Sequence, residues 1–138
     1  MQIRFKKMHP MAKAPTQGTA GAAGYDLMAV DYSKEKEVDA WSYRTGIAVE
    51  IPAGYVGLIT PRSSIYRTGS MLCNSVGVID SDYRGEITAK FTGSTKPYNV
   101  GERICQLLIV PVEVVEFTRV DELSETERGT GGYGSTGK

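Results

Sequence analysis

The chain has 138 residues, with sixteen Lys and Arg against sixteen Asp and Glu, 41% hydrophobic and 23% charged residues. That length and composition suit one ordinary globular domain. Zero net charge gives no general grip on nucleic acid or anionic membrane, and no apolar run approaches the ~18 residues of a membrane span. The N-terminus, MQIRFKKMHP, has charge but no apolar stretch after it, so it does not read as a secretory signal.

Taken in chain order, short apolar segments predict strands over 2–6, 45–51, 55–60, 86–91, 104–110 and 112–118. Ile3 and Phe5 share one face of the first. Ile47, Val49 and Ile51 share one face of the second. Turn residues separate the strands: Pro52-Ala-Gly54, Arg67-Thr-Gly69, Arg84-Gly85, Gly93-Ser-Thr and Asn99-Val-Gly101. One short helical turn is predicted around 63–67, after Pro61. DELSETE, residues 121–127, has the composition for another turn but little apolar face. The pattern predicts an all-β sandwich or barrel with at most one short helix. Hydrophobic periodicity stops after Leu123. The chain therefore divides into a β core, 1–123, and a glycine-rich C-terminal arm, 124–138. Five of the sixteen glycines lie in the last ten residues. Ordering glycine is entropically expensive, so such an end is a disordered tail or a backbone that approaches something closely.

Cys73 and Cys105 stand alone in apolar surroundings, with no C-x-x-C spacing for zinc or redox chemistry. They predict two buried, reduced thiols in a cytosol-type compartment. His9 is the only histidine and sits beside Pro10, a poor foundation for a Ser-His-Asp triad.

The densest polar cluster is GVIDSDYRGE, residues 77–86. On a strand, Asp80 and Asp82 would face the same side. A positioned carboxylate there can act as general base on a water. The competing reading is a hairpin turn with Asp82 capping and Arg84 pairing. PRSS, residues 61–64, offers an arginine and two hydroxyls, suited to a phosphate or simply to a polar turn. Gly132 to Lys138 fits the start of a Walker A loop, but no helix follows within the sequence, which excludes a P-loop. Glycine amides with Arg128 still suit polyphosphate, and Tyr133 can stack on a base. In AGYDL, residues 23–27, an acid after a glycine turn can hold a metal through water. In GERICQLLI, residues 101–109, Arg103 and Gln106 can face a ligand. Each of the last two segments also admits a purely structural role.

In this order, AGYDL, PRSS, GVIDSDYRGE, GERICQLLI and RGTGGYGSTGK resemble the five motifs of the trimeric dUTP pyrophosphatases, or dUTPases, and span residues 23–138. The resemblance implies a distorted β jelly-roll, the β-clip, assembled as a homotrimer with arm exchange. Each active site would draw on all three subunits, one subunit's arm closing a site formed by the other two. It implies hydrolysis of dUTP to dUMP and pyrophosphate with Mg²⁺, which keeps uracil out of DNA and supplies dUMP for thymidylate synthesis. The compartment implied is the cytoplasm, or the host-cell cytosol for a virus.

Carried over residue by residue, Asp80 would be the general base for in-line attack of water at the α-phosphorus. Asp26 would hold magnesium-bound waters. Tyr83 would pack under the deoxyribose and leave no room for a 2′-hydroxyl. The hairpin from Asn74 through Gly77, Val78 and Ile79 to Asp80 would read the uracil edge with its backbone. Arg62, Ser63, Ser64 and Gln106 would hold the triphosphate. Arg128 and the amides around Gly134, Ser135 and Thr136 would hold its β- and γ-phosphates, with Tyr133 stacked on the uracil. The chain departs from the usual pattern at Tyr133, commonly Phe, at Ser64-Ile65-Tyr66, and at Cys105, commonly a small residue. A dCTP deaminase would share the fold but needs a glutamate-based site, against which Asp80 argues. A nucleotide-switched regulatory protein on the same fold is a second alternative, because partner surfaces leave no motif. Neither nucleic acid nor membrane is an expected partner.

Overall fold

Nine strands make up the regular structure of the computed structural model, which describes residues 1–134. In chain order they are β1 Arg4–Lys7, β2 Tyr25–Met28, β3 Asp31–Lys34, β4 Ala40–Arg44, β5 Ile47–Glu50, β6 Tyr55–Pro61, β7 Gly77–Ile79, β8 Thr88–Thr92 and β9 Arg103–Pro111. A 3-10 turn, Ser63–Arg67, lies between β6 and β7, where the short helix is predicted. The strands form three antiparallel sheets, ordered β1-β5, β2-β9-β6-β7 and β3-β4-β8. This is the all-β, distorted jelly-roll architecture.

Inward-facing residues of these sheets build one core. Tyr43, Phe91, Leu27, Ile47, Ile87 and Ile104 are all essentially inaccessible. Tyr43 meets Phe91 and Tyr98 edge-on, at ring-centroid distances of 5.8 and 5.9 Å. Such edge-to-face pairs add to area burial. Gly46 turns the chain from β4 into β5 at φ +67°. A Cβ there would sit 2.8 Å from Ala12 Cβ and 2.9 Å from His9 Cβ, so only glycine fits. His9 itself accepts the Met11 amide at its Nδ1, 3.2 Å away, a local turn contact.

Four elements differ from the sequence expectation. β2, β3, β4 and β7 fall outside the predicted strands. β3, DYSK, is exposed throughout and carries no apolar alternation, and β2 is interrupted by Asp26. Residues 112–118 are predicted as a strand, yet no strand forms there. Val114 and Phe117 are 96% and 95% exposed, and the segment pairs with no strand among the described residues. DELSETE makes no helix. Cys73, expected to be buried, is exposed, whereas Cys105 is buried. Leu72 bridges Phe91 and points inward, so the next side chain points out. No helix among the described residues is long and apolar enough to cross a membrane.

Candidate active site

β2 and β9 pair with Asp26 opposite Gln106, and β6 places Thr60 across from the same Gln106. β6 then runs at Pro61 directly into Arg62, which precedes the 3-10 turn in an extended conformation. Three segments distant in sequence thus meet at one point. The meeting point is the Asp26 carboxylate, 5% exposed. Its Oδ1 accepts from Arg62 Nε at 3.1 Å and from Gln106 Nε2 at 3.2 Å. Its Oδ2 accepts from Arg103 Nη1 at 3.0 Å. Arg62 Nη1 also reaches the Arg103 carbonyl at 3.4 Å. A buried carboxylate is tolerated when it is paired and hydrogen-bonded in this way. Two guanidinium groups meet this one carboxylate, and Glu102 adds a second acid at the rim of the neighbouring cavity. Arg62, Ser64, Arg103 and Tyr98 line an open cavity of about 410 Å³ beside this cluster. Ser63 is exposed at the start of the 3-10 turn.

Directly beside Asp26, Cys105 lies fully buried on β9. Burial, reinforced by the Asp26 charge, pushes its thiol up to about 12. It is a neutral packing group, not a nucleophile.

GVIDSDYRGE divides into a strand and a turn. β7 ends at Ile79, so Asp80 and Asp82 do not share a strand face; they sit in the turn after it. The Tyr83 amide donates to the Asp80 carbonyl at 3.1 Å. The Asp80 carboxylate is exposed and takes no hydrogen bond among the described residues. Asp82 lines a separate cavity with Arg4 and Arg84. Arg84 donates not to Asp82 but to the carbonyls of Ser81 and Tyr83, at 2.6 and 2.8 Å. Tyr83 Oη donates to the Glu86 carbonyl at 3.2 Å, folding the ring over Gly85. A Cβ at Gly85 would lie 2.3 Å from that hydroxyl. Glu86 anchors the end of the turn: its Oε1 accepts the Gly46 amide at 2.7 Å, and its Oε2 accepts Arg44 Nε and Nη2 at 3.0 and 2.9 Å.

β7 is the last strand of its sheet, paired only with β6. Its outer edge pairs with no strand among the described residues; Val78 is exposed there, Ile79 half-buried and Gly77 buried. Before it, Asn74 and Ser75 make a tight turn, with Ser75 at φ 58° and the Val76 amide on the Asn74 carbonyl at 2.6 Å.

Two groups of predicted residues remain apart. Among the described residues, no hydrogen bond joins Asp80 or Tyr83 to the Asp26 cluster. The arm also stands off. Among those residues, the last hydrogen bond that ties the C-terminal stretch to the sheets is Val112 N–H to the Gly54 carbonyl, well before the arm begins. Arg128 Nε donates to the Gly131 carbonyl at 2.9 Å, within the arm, and Tyr133 is fully exposed at φ 53°. Gly134 ends the described residues; Ser135 and Thr136 lie outside them. Sequence reasoning noted Arg103 as able to face a ligand without assigning it to the site. Glu86 it passed over. No spacing rule marks either: their partners lie 77 and 42 residues away.

Among the described residues no three His, Cys, Asp or Glu gather to hold a metal. Asp26 is the one buried acid at the cluster, and both its oxygens are taken by cationic or amide donors.

Residues 11–137 match the protein family described as dUTPase. A deoxyuridine 5′-triphosphate nucleotidohydrolase of Nautilia profundicola is 42% identical, with 100% of each chain covered. The enzyme of the same name from Escherichia phage T5 is 41% identical, with 98% of each covered. Among solved structures, the dUTPase of Staphylococcus bacteriophage 80alpha with dUPNHPP has a TM-score of 0.87 at 27% identity, with 99% of each chain covered. With the fold, the Asp26 cluster and the whole-length likeness in agreement, the chain belongs to the dUTPase family.

Proposed function

We propose that this protein hydrolyses dUTP to dUMP and pyrophosphate. The observation that carries the reading is the convergence of Arg62, Arg103 and Gln106 on the buried Asp26 carboxylate, which sets two guanidinium groups beside an open cavity. Triphosphate hydrolysis requires little beyond positioned charge and one activated water.

In this reading Asp80, exposed and free of internal partners, takes a proton from water. The water oxygen bonds to the α-phosphorus in line with the bridging oxygen to the β-phosphorus. That bond breaks, and pyrophosphate leaves with the electron pair. Arg62, Ser63, Ser64 and Gln106 hold the triphosphate. The open edge at Gly77, Val78 and Ile79, with the Asn74 turn, presents donors and acceptors matched to uracil. Cytosine reverses that pattern and would leave buried polar groups unpaired. Tyr83, folded over Gly85, closes the space a 2′-hydroxyl needs.

Magnesium fits this donor set in one way. It binds through few carboxylates, keeps several waters and prefers substrate phosphates. With both oxygens of Asp26 already engaged, that residue suits contact through metal-bound water. When bound, the ion would neutralise charge on the phosphates.

The assembly proposed is a homotrimer. Val114, Phe117 and Leu123, in the stretch that leads to the arm, are almost fully exposed, and an apolar cavity of about 500 Å³ opens beside β1 and β2, lined by Ile3, Phe5, Tyr25 and Leu107 among others. Exposed apolar surface on this scale calls for a partner. The partner proposed is another copy, whose Asp80 region would receive Arg128, Tyr133 and Gly134 of this arm. The body, 1–123, and the arm, 124–138, would then work on different subunits. A cytoplasmic location accords with the exposed, unpaired Cys73.

The test is pyrophosphate release with Mg²⁺ across dUTP, UTP, dCTP, dTTP and dATP. Release from dUTP alone is expected. Silence on dUTP from an intact trimer would overturn the proposal and favour a nucleotide-binding regulatory role. Light scattering should give the mass of three chains.

A further inference from the structure

Tyr98 is 7% exposed, and its hydroxyl has no hydrogen-bond partner among the described residues. The rest of the residue is well fixed. Its amide donates to Tyr43 Oη at 3.1 Å, and its carbonyl accepts from Tyr43 Oη at 3.0 Å. Its ring packs edge-on to Phe91 at 5.1 Å. A phenylalanine would keep all of these contacts. An unpaired buried hydroxyl is destabilising against that alternative, so the fold gives no reason for it.

Its surroundings do. Tyr98 lines the same cavity as Arg62, Ser64 and Arg103. Burial raises its pKa, and the nearby Arg62 charge opposes that rise, so at neutral pH the hydroxyl is an intact phenol in the field of this guanidinium. Arg62 is tied through Nε to Asp26, and only weakly through Nη1 to the Arg103 carbonyl. A guanidinium carries five N–H donors, and turning toward phosphate gives up the bond to Asp26.

We propose that the Tyr98 hydroxyl accepts a hydrogen bond from Arg62 when that side chain turns from Asp26 to the triphosphate. This rests on the reading that Arg62 serves the triphosphate. Tyr98 is then a positioning residue: it touches no substrate and acts through Arg62.

The experiment is Tyr98→Phe, assayed for kcat, KM and Tm beside the wild type, with a double-mutant cycle against Arg62→Lys. Loss of one such hydrogen bond predicts a rise in KM for dUTP of about three- to tenfold, with kcat changed less than about twofold. Tm should hold or rise. The KM effect should shrink toward none in the Arg62→Lys background, because lysine lacks the fork. An unchanged KM overturns the proposal. So does a fall in Tm of more than about 3 °C, which would make the hydroxyl a folding group. So does a full Tyr98→Phe effect persisting in Arg62→Lys. Wild type that does not hydrolyse dUTP sinks the functional reading and this inference together; active wild type with an indifferent Tyr98→Phe sinks only the inference.

Discussion

β9 and the segment after it are written in the same alphabet. ICQLLIV and VEVVEFT are both short, β-branched and apolar. One became the centre of a four-stranded sheet, paired on both sides by β2 and β6, with Ile104, Cys105 and Leu107 buried. The other lies extended and exposed. The difference lies in the neighbours. A strand needs an edge to pair with, and the segment after β9 docks on none of the open edges of this fold among the described residues. The lesson is that the strands through β9 pack on one another, whereas the segment after β9 is left exposed. Chemistry fixed to the body should therefore survive changes in the arm, and closure supplied by the arm should fail without touching the body.

Asp80→Asn separates the two regions most sharply. It leaves the arm and the shape of the site intact and removes the proposed base. Loss of a general base is worth about 10²- to 10⁴-fold, so kcat for dUTP should fall by that much while nucleotide binding, measured by calorimetry, is retained. Near-normal turnover would place the base elsewhere. Deleting everything after Glu127 is the converse. It removes Arg128, Tyr133 and the glycine amides, and kcat/KM should fall about a hundredfold, the scale of losing positioned donors. Because the described residues of this stretch make no hydrogen bond to the body, its Tm should move by less than about 2 °C. A truncated enzyme of full activity would refute the closing arm.

The same contrast decides how much was legible in advance. β5, β6, β8 and β9 were readable because they bury apolar side chains in the core. β1 was readable from Ile3 and Phe5 although all four of its residues are exposed, and β3, equally exposed, has no such apolar pair. The 3-10 turn was readable from Pro61 and the polar residues after it. At the site, Asp26, Arg62 and Gln106 were legible through the family resemblance. Arg103 was visible only as an option, since what commits it is a strand register that sets it near an acid 77 residues away. The 112–118 segment has the strand pattern, but it pairs with no strand among the described residues.

Gly85→Ala tests a finer feature of the body. The new Cβ would lie 2.3 Å from Tyr83 Oη and 2.5 Å from its Cζ, so the ring must move. The turn is otherwise held by Glu86 on Arg44 and Gly46, and should survive. If Tyr83 excludes the 2′-hydroxyl by shape, the ratio of kcat/KM for dUTP over UTP should drop about tenfold, the scale at which a pocket discriminates one small group. An unchanged ratio would remove Tyr83 from sugar selection and leave the backbone edge of β7 as the only proposed source of specificity.

The smallest effect is at the deepest point of the body. Burial and Asp26 hold the Cys105 thiol at about 12, against an ordinary value of 9.0. The unfolded chain therefore releases this proton at lower pH than the folded one. The stabilising contribution is complete below pH 9.0 and is lost progressively as pH rises toward 12. Between pH 8 and 10 the wild type should lose about 1 kcal/mol more stability than Cys105→Ala, which carries no such proton. Urea denaturation of both proteins at each pH reads the difference directly, since a cavity left by alanine costs the same at every pH. Parallel curves would mean that water reaches this thiol, and that the cluster around Asp26 is more open than its geometry implies.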